Sequence, residues 1–134
     1  MTTKELTIGA YAEELPINCP PAESTEIKEG VYFRFVGTMP PLAQDFASHC
    51  QLYPNKNYRD RQCLARSLSL FSSFEAATKA AKLPALKNKL IAKVVMIPGA
   101  GRIMQTSGPE HHSWWMYSGV DPVSLCSKAE NGSW

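Results

Sequence analysis

Residues 67 to 103 constrain the fold more tightly than any other part of the chain. They read SLSLFSSFEAATKAAKLPALKNKLIAKVVMIPGAGRI. From Ser67 to Phe71 polar and apolar residues alternate, which predicts a short half-buried strand. Ser72 followed three residues later by Glu75 fits a capping box, in which serine and glutamate each satisfy a free backbone N–H. Phe74, Ala77, Thr78 and Ala81 then fall on one helical face. Pro84 ends that helix, because proline has no N–H to donate. Leu90 to Ile97 is rich in β-branched residues and predicts a second strand. Pro98-Gly99-Ala100-Gly101 follows as a turn, best accounted for as a tight hairpin, with Arg102 to Thr106 as a returning strand. Strands and a helix in this order call for a helix packed on a sheet.

The strongest strand lies upstream, at Val31-Tyr32-Phe33-Arg34-Phe35-Val36, closed by glycine on each side. Its alternation puts Val31, Phe33 and Phe35 on one face and Tyr32, Arg34 and Val36 on the other. Leu42 to Cys50 has helical spacing, with Leu42, Phe46 and Cys50 one turn apart. Residues 51 to 62 are polar and predict an exposed loop that carries Tyr53, Lys56, Tyr58, Arg59 and Arg61. Asp121-Pro122 suits a helix start. Residues 1–30 read as an irregular lead-in, with Leu6, Ile8 and Ala10 spaced as an edge strand and Asn18-Cys19-Pro20-Pro21 unable to continue a helix. Residues 31–134 then form one domain, and 134 residues suffice for one hydrophobic core. The expected class is α+β, a single compact domain with a mixed or antiparallel sheet and a few short helices.

Charge and composition narrow the function classes. Fourteen basic and twelve acidic residues leave a net charge of +2, too balanced to predict nucleic-acid binding. No apolar run approaches the roughly 20 residues of a membrane helix, and the N-terminus has no apolar signal region. The expectation is a cytoplasmic protein. There, the widely spaced Cys19, Cys50, Cys63 and Cys126 would be free thiols.

A few residues carry chemistry. Arg34 in mid-strand is either an anion clamp or an arginine on a solvated face. Ser67 and Ser69 point the same way, as ligand-facing hydroxyls or as plain outward positions. The Ser72-Ser73 helix start offers free N–H groups, for capping or for phosphate. Gly99-Ala100-Gly101 lacks the remaining glycine of a dinucleotide fingerprint. Glu110, His111 and His112 are the catalytic candidates, as carboxylate or as acid–base imidazole. Adjacent histidines in an extended segment point apart, which argues against one metal held by both; a metal site would need one of them with a distant cysteine. Trp114 and Trp115 either stack a ligand or fill the core.

In order, these parts resemble the ADP-ribosyltransferase layout of the R-S-E type, over residues 31 to 115. In that family an arginine on the first core strand contacts NAD. A Ser-x-Ser strand before a helix shapes the nicotinamide pocket, and a glycine turn leads to a catalytic glutamate. The resemblance implies an ADP-ribosyltransferase-like fold with NAD as cofactor, Arg34, Ser67 and Ser69 in the first two roles, and Trp114 beside the ligand. Leu68 stands where the family has threonine. Glu110 is the only acidic residue between the glycine turn and the tryptophans, so the usual carboxylate motif is missing. Enzymes of related fold without that glutamate, the NAD-dependent RNA 2′-phosphotransferases, rely on basic and histidine side chains. The chain is also similar to short bacterial proteins with a Tyr-x-Arg strand and a late Gly-x-x-His-x-x-Trp stretch, here Gly108 to Trp114. The nucleotide reading requires Arg34, Ser67 and His111 to line one pocket. The alternative is a non-enzymatic interaction module, carried on a mobile element, that meets a protein partner through the tryptophan patch.

Overall fold

The computed structural model of the chain describes residues Ala10–Lys128. Among them are seven strands: β1 (Thr25–Glu26), β2 (Gly30–Val36), β3 (Leu68–Phe71), β4 (Leu90–Met96), β5 (Gly101–Gln105), β6 (His111–Met116) and β7 (Cys126–Lys128). All pair antiparallel in one sheet, in the order β1-β5-β6-β3-β2-β4-β7. Three short helices, α1 (His49–Leu52), α2 (Gln62–Ala65) and α3 (Phe74–Ala80), and several 3-10 turns complete an α+β domain.

The order of strands forces the sheet to curl. In a flat sheet β4 and β5 would lie four strand spacings apart, about 19 Å. Only Ile97 to Ala100 connect them, a reach of at most about 18 Å when fully extended. The sheet therefore folds on itself, and the core fills the enclosed face. Val94 and Met96 of β4 meet Ile103 of β5, Trp114 of β6 and Leu68 and Leu70 of β3 in one cluster. Trp114 and Leu70 are fully buried. The glycine turn is thus a crossover between the two halves of the sheet, and the hairpin expected there is corrected. The hairpin is formed instead by β5 and β6. The crossover is pinned by Ala100, whose carbonyl accepts from Trp114 Nε1 at 3.0 Å and from the Tyr117 N–H at 3.1 Å. Gly101 is required: at φ +142° a Cβ would run into the Trp115 carbonyl oxygen and lie 2.9 Å from Trp114 Nε1.

Two local expectations shift for identifiable reasons. The helix expected over Leu42 to Cys50 breaks into a 3-10 turn, Ala43–Phe46, and α1. Ser48 ends the first and caps the second through a capping box with Gln51, which places Ala47 in extended backbone. Downstream, α3 is capped by Ser73, whose hydroxyl accepts from the Ala76 N–H at 3.0 Å. The expected capping box at Ser72 is corrected: its N–H and hydroxyl donate to Glu110, and the next residue takes the cap position. The start at Asp121-Pro122 gives only a 3-10 turn, Pro122–Leu125.

The lead-in is held at several points. Tyr11 bridges Tyr117, β1 pairs with β5, and the Glu26 carboxylate accepts from Tyr117 and Arg102. Leu6 and Ile8 of the expected edge strand lie outside the described residues. Cys19 is disulfide-bonded to Cys63 across a sequence separation of 44. Four free thiols were expected, so this is a correction: only Cys50 and Cys126 are free. Two cysteines in polar, loop-rich stretches give no sign in sequence that the fold will bring them together. Structural disulfides persist in oxidising compartments, the opposite of the setting assumed for free thiols. No helix among the described residues is long and apolar enough to cross a membrane. Under denaturing, non-reducing conditions a thiol reagent is expected to titrate the two free cysteines only, and all four after reduction. On chain-entropy grounds, opening a loop of this length lowers stability by about 4 kcal/mol. Four titratable thiols before reduction would contradict the pairing.

Candidate functional site

The site begins where two strands part. β2 and β3 pair at a single position, Phe33 with Phe71, and diverge beyond it. On the other side β2 keeps its full register with β4, from Gly30↔Met96 to Val36↔Leu90. A cleft of about 690 Å³ opens at the divergence, lined by Arg34, Asp45, His49, Ser67, Ser69 and His111, among others. That volume lies within the range of small-molecule sites. Arg34, Ser67 and His111 therefore line one pocket.

Arg34 spans the gap. Its Nε donates to the Asp45 carbonyl at 3.1 Å and its Nη1 to the Ser69 carbonyl at 2.9 Å. The guanidinium carbon sits 5.3 Å from the centroid of the buried Phe46 ring. Both hydrogen-bond partners are neutral carbonyls. The Asp45 carboxylate is turned elsewhere, accepting from the N–H groups of Gly37 and Leu42 and from the Thr38 hydroxyl. Desolvation would raise the Asp45 pKa, but these donors, with Lys89, outweigh it and hold the carboxyl below its usual range. Burial pushes the Arg34 pKa down to about 10. The group stays charged at neutral pH, with no carboxylate within 4 Å among the described residues. Of the five N–H bonds of a guanidinium, two are occupied and three remain for a ligand.

The opposite wall is set by strand register. β3 and β6 pair Ser69 with Ser113 and Phe71 with His111, so these four side chains share a face. The His111 ring stands edge-on to Phe71 at 5.4 Å, and Phe71 in turn packs on Phe35 at 5.7 Å. His111 Nδ1 lies 3.0 Å from the Thr106 carbonyl and 3.1 Å from its hydroxyl. A carbonyl can only accept, so Nδ1 carries the proton and Nε2 keeps its lone pair. Burial lowers the His111 pKa, which keeps the ring neutral at pH 7. Nε2 takes no hydrogen bond among the described residues. Ser67 spends its proton on the Leu64 carbonyl at 2.8 Å and faces the cleft as an acceptor. Ser69 is exposed within the cleft.

The other candidates lie elsewhere. His112 points to the opposite face, with its ring edge-on to Tyr32 at 5.5 Å and its buried Nδ1 unpartnered. The two histidines thus diverge, as extended backbone requires. Glu110 lies outside the cleft lining, tied to Ser72. Trp114 is fully buried and Trp115 nearly so, with Nε1 donating to the Cys63 carbonyl at 3.1 Å. Neither ring lines the Arg34 cleft; Trp115, 1% exposed, borders a separate cavity of about 390 Å³. His49 and Lys89 also line the cleft, and nothing in their sequence context marks them. No family model, curated protein or solved structure matches this chain.

The depressed His111 pKa has a consequence for stability. The unfolded chain takes up the imidazole proton near pH 6.5 and the folded chain only at lower pH. Stability from this group is present above that pH and is lost as pH falls toward the folded value. Urea unfolding of the wild type and of His111→Gln from pH 7.5 to 5 is expected to show the wild type falling more steeply with acid. Parallel curves would remove the buried neutral imidazole from the account.

Proposed function

We propose that the cleft binds NAD or a chemically related nucleotide, in an ADP-ribosyltransferase-like domain. One observation carries this reading: a partly buried guanidinium lines a ligand-sized cleft with only two of its N–H bonds spent, both on neutral carbonyls, and it feels the Asp45 charge without forming an ion pair with it. Guanidinium recognises phosphate oxygens through paired hydrogen bonds, so a diphosphate is its natural counter-ion here. Ser69 and the lone pair of His111 Nε2 stand on the facing wall as partners for ribose hydroxyls. The lining is rich in basic and histidine groups: Arg34, His49, Lys89 and His111.

These residues favour binding and proton handling over carboxylate-driven transfer. Glu110 is bound to Ser72 and takes no part in the lining. Any chemistry in the cleft runs through His111, which is neutral and positioned to accept a proton at Nε2. The interaction-module alternative loses its surface, since both tryptophans are buried.

A nucleotide at a hundredfold excess over its dissociation constant stabilises a fold by about 2.7 kcal/mol. For a chain of this size that raises the melting temperature by roughly 10 °C. Millimolar NAD or ADP-ribose is expected to produce such a shift in the wild type. Arg34→Ala also removes two structural hydrogen bonds, so the quantity compared is the ligand-induced shift within each protein. That shift should vanish in Arg34→Ala and shrink in Arg34→Lys. No shift in the wild type, or equal shifts in all three proteins, would overturn the reading.

A further inference from the structure

A second lobe adjoins the Arg34 cleft and carries a charge pattern of its own. It encloses about 380 Å³ and shares His49, Ser67, Ser69 and His111 with the cleft. Its outer wall is the loop that holds Lys56, Arg59 and Arg61 against one carboxylate, Asp60. That surplus equals the net charge of +2 on the whole chain. All three cations are exposed, and none meets a carboxylate within 4 Å among the described residues. Balanced totals in the sequence hide this concentration on one wall.

Aromatic rings interleave with the charges. The Lys56 ammonium lies 5.8 Å from the Tyr58 ring centroid. The Tyr58 hydroxyl is shared between the carbonyls of His49 and Tyr53, at 2.8 and 2.9 Å, which ties the loop to α1. Tyr53 lies outside the lobe's lining but is 60% exposed, its ring edge-on to His49, which does line it. Cations along a groove beside an open aromatic face suit a flexible polyanion whose bases are free to stack. A duplex keeps its bases stacked on one another and would leave Tyr53 idle.

We propose that this lobe binds single-stranded nucleic acid, with phosphates on Lys56, Arg59 and Arg61 and a base on Tyr53. The proposal stands on the lobe's own charges and goes beyond the nucleotide reading of the neighbouring cleft. The shared wall would bring the strand's sugar-phosphate chain beside His111.

Fluorescence anisotropy with labelled RNA and DNA strands of about 12 nucleotides tests it, at the site size typical of such grooves. Three phosphate contacts on a single strand predict a slope of log affinity against log salt of about −2. Lys56→Ala/Arg59→Ala/Arg61→Ala is expected to abolish binding with its melting temperature unchanged. Tyr53→Ala should weaken binding about fivefold or more. Arg34→Ala should lose NAD and keep the strand, so that the two readings fail separately. Absent binding at low salt, a salt slope unchanged in the triple variant, or equal affinity for inorganic polyphosphate or for the matching duplex would each overturn the proposal.

Discussion

The guanidinium of Arg34 holds together two strands that no longer hold each other. Past the Phe33–Phe71 pair, β2 and β3 expose backbone groups that a continued ladder would have satisfied. Arg34 satisfies one of them, the Ser69 carbonyl, and ties it to the Asp45 carbonyl on the segment after β2. A neutral side chain could fill the same space, but it could not donate to both carbonyls and still have N–H bonds left over. The same substitution of side chain for ladder keeps the sheet open. The cleft and its charge therefore have one cause.

The rest of the fold serves this opening. The curled sheet buries Trp114 and Leu70 on its enclosed face, so β3 and β6 are rigidly paired behind the cleft. That pairing sets Ser69, Phe71, His111 and Ser113 side by side on the other face. Phe71 and the Thr106 carbonyl fix the His111 ring and its tautomer. The Cys19–Cys63 bond ties the lead-in to α2, and α2 carries the chain from the basic loop to Ser67. A staple at that point braces the wall shared by both lobes.

Much of this is legible in the sequence where one local rule dominates. β2 follows from its β-branched and aromatic run, and the Ser67–Phe71 strand from its alternation. Opposite directions for His111 and His112 follow from extended backbone alone. What fails depends on distant partners. Gly99-Ala100-Gly101 has every local mark of a hairpin, yet strand order makes it a crossover. Ser72 is a sound cap in isolation, but Glu110 claims it. Cys19 and Cys63 carry no motif, and Trp114 reads first as core, as it proves to be, with a ligand platform as the other reading. Net charge is a whole-chain quantity and is blind to three cations gathered on one loop.

We propose that Arg34, which bridges the two strands through neutral carbonyls, takes an anionic ligand. Side-chain NMR of the protein with ¹⁵N-labelled arginine reports on it directly, through the Nε–H resonance of Arg34 during titration with ADP-ribose. Saturable movement of that resonance, in step with the His111 ring signals and reproduced by inorganic pyrophosphate, is the predicted result. An Arg34 resonance that stays fixed while other arginines respond would contradict the account.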